Sequence, residues 1–100
     1  MTIEMYHPDA TGPIPIAGHF GEPPLAVVQS WVGGDIEVVY SVEMLEGDAK
    51  FQMVLNENGK VHGLPRNAAA TAFAHAHHMI ATEDFIVGPA VVLSGRNRLT

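Results

Sequence analysis

The sequence predicts a small α+β domain: a largely antiparallel sheet of about five strands with two helices on one face. Two observations predict it. Several short stretches alternate hydrophobic and polar residues with period two, and two other stretches have hydrophobic residues at helical spacing. Their order is β, α, β, β, β, α, β, without a repeat. One hundred residues correspond to a single domain, with a proline-rich extended segment (1–22), a core (23–95) and a tail (96–100) that should fray.

The N-terminal part combines a strand, an extended segment and a helix. Residues 2–6 alternate and predict a strand. Five prolines lie in the segment 7–24, and because proline lacks a backbone donor this segment should be an extended connection or a sheet edge. A helix should begin near Pro23, since its first turn needs no N–H. It should end at Gly33, where glycine accepts a left-handed conformation.

The middle of the chain predicts three strands. Residues 35–44 carry apolar side chains at every second position, which makes this the clearest strand in the sequence. Residues 51–55 repeat the alternation and should pair with it in an antiparallel arrangement. The turn dipeptide Asn58-Gly59 should then lead into a short return strand at 61–64.

The C-terminal part predicts a helix and a last strand. Pro65 should stop the return strand, and Asn67 should cap a helix that runs to about Ile80. The helical face expected to be buried carries Ala69, Phe73, Ala76 and Ile80. The last strand should span 85–93, with a bulge or bend at Gly88.

Composition limits the classes of function. Only 16% of residues are charged and the net charge is −6, so the basic stripe that nucleic-acid binding requires is missing. No apolar run approaches the roughly 20 residues needed to cross a bilayer. No cysteine is present, and we expect a cytoplasmic protein that binds neither nucleic acid nor membrane. So few charges also indicate a homo-oligomer or a partner-covered surface; a monomer with an alanine-rich surface is the alternative.

Several short motifs follow one another as VGG, IE, NE-x-G, LP-x-N, AT and IVG. The residues that carry them are Val32-Gly33-Gly34, Ile36-Glu37, Asn56-Glu57, Gly59, Leu64-Pro65, Asn67, Ala70-Thr71 and Ile86-Val87-Gly88. This pattern, over about residues 25–95, resembles an uncharacterised domain-of-unknown-function family of bacteriophage and bacterial proteins. The resemblance implies a phage or bacterial origin but no particular activity. If the protein is phage-encoded, the expected location is the cytoplasm of the bacterial host. The proline-rich start and the histidine-rich helix end depart from the family pattern.

The first candidate site is a pair of histidines. His75 and His78 are three residues apart on the second helix, and this spacing lets two imidazoles face one side and hold a metal. His19 and His62 could join them only through the fold. The alternative is that these rings are exposed near a helix C-terminus, where the helix dipole favours the protonated form.

The second candidate site consists of Lys60, His62, Arg66 and the helix start at Asn67. Free amides at a helix N-terminus attract anions, and a neighbouring arginine can hold a phosphate with two hydrogen bonds. This arrangement predicts a small nucleotide-like anion as ligand. The alternative is that Arg66 is a solvated loop residue and that Asn67 only caps the helix.

Acidic residues offer a third possibility. Glu37 could form an acid–base pair with Glu43, Glu57 or Asp35, but Glu37 and Glu43 would lie roughly 20 Å apart on one strand. A solvated sheet face is the favoured explanation of these acids. Neither a nucleophile motif nor a phosphate-binding loop is present, so we predict no catalytic residue and no cofactor.

Aromatic residues are the candidates for an interface. Trp31, Tyr40 and Phe20 could anchor a partner or belong to the core. We assign Trp31 to an interface and Tyr40 to the core. Phe73 is a second interface candidate, because the small residues around it allow close approach to a partner helix or a sheet.

The favoured function is that of a non-enzymatic phage or bacterial accessory protein. It would bind a host protein or a small anionic ligand, with counter-defence as a hypothesis from the phage context. The alternative is a small metal-dependent hydrolase that uses His75 and His78.

Overall fold

The computed structural model describes residues 3–16, 21–40 and 51–99. The elements in chain order are β1 (Ile3–Tyr6), β2 (Ile14–Ile16), α1 (Leu25–Val32), β3 (Ile36–Tyr40), β4 (Phe51–Asn56), α2 (Ala68–Ala76), β5 (Ala90–Ser94) and a 3-10 helix at Gly95–Asn97. Within these ranges the chain forms one five-stranded antiparallel sheet and two helices, so the predicted α+β class is confirmed. The predicted continuation of β3 to residue 44 lies outside the described residues.

The strands follow one another across the sheet in the order β2-β1-β5-β4-β3, and neighbours are antiparallel. The last strand of the chain therefore lies at the centre, with Val91 opposite both Met5 of β1 and Val54 of β4. The edges are β2 and β3. The proline-rich segment thus supplies an edge strand, which is where proline is tolerated.

The two helices lie on opposite faces of the sheet, so the predicted placement of both on one face needs correction. Val28 of α1 packs in one buried cluster with Val54, whereas Ala70 and Ala74 of α2 pack in a second cluster with Met53. Because successive residues of a strand point to opposite faces, the two clusters are separated by the sheet. The central strands β4 and β5 bury nearly every side chain, as is typical of strands covered on both faces.

Local chemistry places the helix ends correctly except at the end of α2. Gly33 is left-handed, with φ of 83°, and its N–H donates to the Gln29 carbonyl at 2.8 Å. The side chain of Asn67 accepts a hydrogen bond from the Ala70 N–H at 3.0 Å, as expected of a cap. The helix α2 stops at Ala76, however, short of the predicted Ile80.

The end of α2 is a Schellman motif with histidine in the left-handed position. His78 has φ of 55°, the Met79 N–H donates to the Ala74 carbonyl at 2.8 Å, and the His78 N–H donates to the His75 carbonyl at 3.2 Å. Glycine is the usual residue at this position. The histidine gives no sequence signal that the helix stops there.

The buried face of α2 also differs from the predicted one. Its buried side chains are Ala70, Thr71 and Ala74, which lie in line with the buried cap Asn67. Of the predicted face, Ala69, Phe73 and Ile80 are half-buried and Ala76 is exposed. The orientation of the helix follows from the cap residue, whose polar side chain must be inside to reach its partners.

The predicted return strand at 61–64 is wrong, because residues 57–63 form consecutive turns. The backbone hydrogen bonds are local, from the His62 N–H to the Asn58 carbonyl and from the Leu64 N–H to the Gly59 carbonyl. Val61 is 85% exposed. The fifth strand of the sheet is instead β2.

The start of the last strand and the C-terminal tail both differ from prediction. The strand β5 begins at Ala90, after a bend at Gly88 with φ of 72°, and the preceding segment makes one isolated bridge, from Arg66 to Val87. The tail does not fray over its described part. Gln52 holds the backbone of Leu99 with two hydrogen bonds, of 2.8 and 2.6 Å.

Candidate functional site

A cleft of approximately 250 Å³ opens between the start of β3, the end of β4 and the segment 80–87. It lies on the α2 face of the sheet, because its floor includes Val39 and Leu55, which belong to the cluster under α2. Its charged lining consists of Glu37, Glu57, Lys60 and Asp84. An apolar floor with charged groups at the rim is the usual form of a ligand site.

The turn after β4 is shaped by the side chain of Asn56. Its Oδ1 accepts a hydrogen bond from the Asn58 N–H at 2.9 Å, and its Nδ2 donates to the Val32 carbonyl at the end of α1 at 3.2 Å. An asparagine that bonds to the N–H two residues later stabilises a turn. The turn therefore carries Glu57 and Lys60 at the rim of the cleft.

Lys60 and Asp84 form an ion pair across the cleft. The Asp84 carboxylate also accepts a hydrogen bond from the Phe85 N–H at 2.8 Å. The hydrogen bond from Lys60 is the main reason that the pKa of Asp84 lies below its ordinary value, and the Phe85 N–H lowers this pKa further. The charge of Lys60 is thus already compensated within the site.

Glu37 and Glu57 are the remaining charged groups of the lining. Glu37 lies opposite Leu55 in the β3–β4 register, and the Glu57 N–H continues the ladder with a hydrogen bond of 2.8 Å to the Asp35 carbonyl. Their positions are therefore diagonal neighbours on one face, with Cα atoms about 7–8 Å apart. Both side chains are exposed, and among the described residues neither carboxylate has a hydrogen-bond or ion-pair partner.

The structure brings together two of the four residues of the predicted anion site. Lys60, which is paired with Asp84, and Arg66 both lie against the Phe85 ring, with the Lys60 Nζ 4.6 Å and the Arg66 guanidinium 4.4 Å from its centroid. His62 is exposed in the turn. Asn67 is fully buried, so its side chain belongs to the fold and not to a ligand site.

Asn67 uses its whole side chain inside the protein. Besides capping α2, its Nδ2 donates to the carbonyls of Tyr6 at 2.8 Å and Gly88 at 2.9 Å. Thr71 extends this network: its hydroxyl donates to the Asn67 carbonyl at 2.7 Å and accepts from the Ile86 N–H at 2.9 Å. These residues of the LP-x-N, AT and IVG motifs therefore join α2 to β1 and to the segment before β5.

The histidines of the predicted metal site are separated by the helix end. His75 Nε2 lies 2.8 Å from the Asp84 carbonyl oxygen, and since a carbonyl only accepts, this nitrogen donates. His78 is exposed in the left-handed position. Over residues 3–16, 21–40 and 51–99, no three His, Asp or Glu side chains are placed to share a metal ion. His19 lies outside the described residues.

The aromatic residues also take positions that the sequence did not indicate. Phe73 belongs to an aromatic cluster, with ring centroids 5.7 Å from Tyr6, 5.5 Å from Phe51 and 4.3 Å from His77. Within this cluster burial raises the pKa of the Tyr6 hydroxyl, and the nearby Glu4 raises it further. Phe73 is therefore half-buried in a packed aromatic layer, and its assignment to an interface stays a prediction.

Of the other two aromatic assignments, the structure contradicts that of Tyr40. Trp31 is half-buried against the cluster that contains Val28, and its assignment to an interface stays a prediction. Tyr40, which was assigned to the core, is 61% exposed at the end of the edge strand β3. An alternating pattern indicates which side chains share a face, but not whether that face is covered at the edge of the sheet.

The sequence did not indicate two residues of the cleft, Asp84 and Phe85. No local motif marks them, because Lys60 and Arg66 reach them across more than fifteen residues of chain. Glu37 and Glu57 were considered together, but only the antiparallel register places them side by side. Writing out the residue pairs of the predicted β3–β4 hairpin would have shown that the two residues are neighbours.

None of the helices that the structure describes is long and apolar enough to cross a membrane.

Three comparisons with known proteins give one match. No curated protein and no solved structure matches the chain. The model of one family, described as "Domain of unknown function (DUF3846)", matches residues 3–99. The chain belongs to this family.

Proposed function

We propose that this protein works by binding, and that its cleft receives a cationic side chain, an arginine or a lysine, of a partner protein. The observation that carries the proposal is the pairing in the cleft: Lys60 is compensated by Asp84, which leaves the carboxylates of Glu37 and Glu57 without a cationic partner among the described residues, above an apolar floor. The described lining of the cleft is therefore net negative. A ligand that suits it combines a positive head with an aliphatic stem.

An arginine side chain matches this chemistry in two ways. Its planar guanidinium presents several N–H donors, and the carboxylates of two diagonal neighbours on one face of the sheet can contact it from two sides. Its methylene stem can lie along apolar surface while the charge stays at the rim, where Val39 and Leu55 form the floor. Without a cation, the two neighbouring carboxylates repel one another.

A small anionic ligand is less well supported by the same residues. A phosphate near the cleft would meet Glu37 and Glu57 before a free cation, because Lys60 is paired with Asp84. Arg66 is exposed and lies against the Phe85 ring, whose centroid is also 4.6 Å from the Lys60 Nζ, but that lysine is already paired with Asp84. The α2 N-terminus is occupied by its own cap. We therefore favour a protein partner over a nucleotide.

The metal-dependent hydrolase gains no support from the placement of its residues. His75 is turned toward the Asp84 carbonyl, and His78 stands beyond the last turn of α2. A non-enzymatic role is accordingly part of the proposal. We extend it to an accessory protein of a phage or bacterium that acts in the cytoplasm on a host protein, with counter-defence as the setting. This extension is supported by the resemblance to phage and bacterial proteins and by the absence of cysteine from the sequence.

A titration followed by NMR tests the location of the site. The probes are N-acetylarginine amide, its uncharged apolar counterpart N-acetylnorleucine amide, and inorganic phosphate. We expect the arginine probe to shift the amide signals of Glu37, Glu57 and Lys60 most, and Glu37→Gln together with Glu57→Gln to remove these shifts. The matched control is Asp9→Asn, which removes an exposed acid outside the cleft.

Two results would contradict the proposal. One is a response to phosphate but not to the arginine probe, and the other is an arginine response located away from the cleft.

A further inference from the structure

The two edges of the sheet differ in how well they are protected against pairing with another chain. The strand β2 carries Pro15 between its two isoleucines, and Pro13 directly precedes it. Proline removes a ladder donor and blocks a further strand. The strand β3, by contrast, has the sequence IEVVY, with neither proline nor lysine. Among the described residues, its only strand neighbour is β4.

The backbone groups on the open side of β3 can be assigned from its register with β4. The hydrogen bond from the Glu57 N–H to the Asp35 carbonyl makes these two residues a hydrogen-bonded pair. Because such pairs alternate with non-hydrogen-bonded pairs along an antiparallel ladder, the N–H and C=O groups of Ile36, Val38 and Tyr40 point away from β4. Among the described residues nothing pairs with this side of β3, so these three residues form the outer hydrogen-bonding edge of the described sheet.

The side chains of the same three residues line an apolar groove on the α1 face. The groove has a volume of approximately 370 Å³, and Leu25 of α1 and Leu99 of the tail contribute to it. Leu25 is 56% and Tyr40 is 61% exposed. Its one charged residue is Glu22. An apolar groove beside a free strand edge is the surface that strand addition uses.

We infer that β3 pairs with the β3 strand of a second copy of this chain, antiparallel and centred on Val38. This register places Val38 opposite itself and Ile36 opposite Tyr40 of the other copy, so that every outward backbone group finds a partner, in about six hydrogen bonds. Glu37 then faces Val39 of the other copy, so no two like charges stand directly opposite one another, and the two Glu37 residues become diagonal neighbours on the α2 face. The two sheets become one continuous sheet, and the apolar grooves meet at the two-fold axis.

A second copy fits these observations better than a different partner. The strand is complementary to itself in the one register that uses all its free groups, and the apolar face of each copy covers that of the other. A basic partner, as proposed for the cleft, has no acid in this groove to contact except Glu22. The two proposals share Glu37, which lies on β3 and lines the cleft. The pairing depends on the backbone of Ile36, Val38 and Tyr40, whereas the cleft depends on carboxylates, so either proposal can fail without the other.

The test combines sedimentation with hydrogen exchange. Sedimentation of the full chain should give twice the monomer mass. In hydrogen exchange, protection of the Val38 and Tyr40 amides should rise with protein concentration. The inward amides of Glu37 and Val39 should not change with concentration, which makes them the internal control. Val38→Pro removes an outward donor and leaves the pairing with β4 intact, so it should weaken association at least about a hundredfold.

Two controls keep this test decisive. Val38→Thr retains the donor and should remain dimeric, and Tyr40→Lys, which places a charge on the edge, should be monomeric even if the proline variant fails to fold. A parent chain that is monomeric at every concentration overturns the inference. So does a folded Val38→Pro protein that still dimerises, because its interface must then lie elsewhere.

Discussion

The side-chain amide of Asn67 donates a hydrogen bond of 2.9 Å to the carbonyl of Gly88, twenty-one residues further along the chain. A second bond from the same nitrogen reaches Tyr6 at 2.8 Å, and the Oδ1 atom caps α2. One side chain therefore joins β1, α2 and the approach to β5. The Asn67 side chain, which the sequence suggested for ligand binding, is therefore fully used within the fold. The candidate site lies in the cleft instead.

Replacement of Asn67 should be among the most destabilising changes in the chain. Asn67→Ala removes the cap and the hydrogen bonds to two buried carbonyls, so the free energy of unfolding should fall by about 3–5 kcal/mol. Chemical denaturation measures this loss. Asn58→Ala, at an exposed position in the turn, is the matched control and should change stability by less than about 1 kcal/mol.

Asn67→Asp separates the capping role from the donor role. Aspartate can still cap α2, but its second oxygen would face the carbonyls of Tyr6 and Gly88. This surrounding raises the pKa of the new carboxyl in the folded state, so the protonated form stabilises the protein at low pH and the effect is lost as the pH rises. The free energy of unfolding of the Asn67→Asp protein should therefore approach that of the parent as the pH falls towards about 4. A deficit that is independent of pH would contradict the donor role.

The contact between Gln52 and Leu99 predicts a coupling between a central strand and the tail. Gln52→Leu keeps the volume but loses both hydrogen bonds, at a cost of about 1–3 kcal/mol in unfolding free energy. Deletion of residues 99–100 should also destabilise the parent. In the Gln52→Leu background the deletion should cost much less, and a double-mutant cycle measures the difference. Additive effects would mean that the two hydrogen bonds contribute nothing.

His78 offers a position where stability can be gained. Its left-handed backbone, with φ of 55°, disfavours any side chain with a Cβ atom, so His78→Gly should raise the free energy of unfolding by about 0.5–1 kcal/mol. His78→Ala keeps the Cβ and should show no such gain. Thermal denaturation of both variants distinguishes relief of backbone strain from loss of the imidazole.

The lowered pKa of Asp84 predicts a small loss of stability in acid. Because the Lys60 hydrogen bond lowers this pKa in the folded state, the contribution is present above the unfolded pKa and disappears as the pH falls through the folded value. The pair is exposed to solvent, so the effect should be at most about 1 kcal/mol and should shrink in high salt. Asp84→Asn should remove this part of the acid dependence, and an unchanged acid limb would argue against the pair.

Local chemistry explains what the sequence could predict. The cap at Asn67, the end of α1 at Gly33 and the course of β3 each depend on neighbouring residues and on backbone preferences. The end of α2 could not be predicted, because a histidine adopts the conformation that glycine usually marks.

Long-range pairing explains the rest. The sequence does not show that the helices cover opposite faces, because β4 and β5 are apolar at successive positions and could face either way. The proximity of Glu37 to Glu57 depends on the β3–β4 register, and the pairing of Lys60 with Asp84 depends on the path of the segment after α2. The cleft is therefore a product of the fold and has no motif of its own.

The affinity of the cleft for a cation is the most direct test of the account. Isothermal titration would compare N-acetylarginine amide with N-acetylcitrulline amide, which has nearly the same shape but no charge. We expect the parent to bind the arginine probe with a Kd on the order of 1 mM and the citrulline probe at least about tenfold more weakly. The Glu37→Gln, Glu57→Gln protein should lose this preference. Equal binding of the two probes, or an unchanged preference in the double variant, would contradict it.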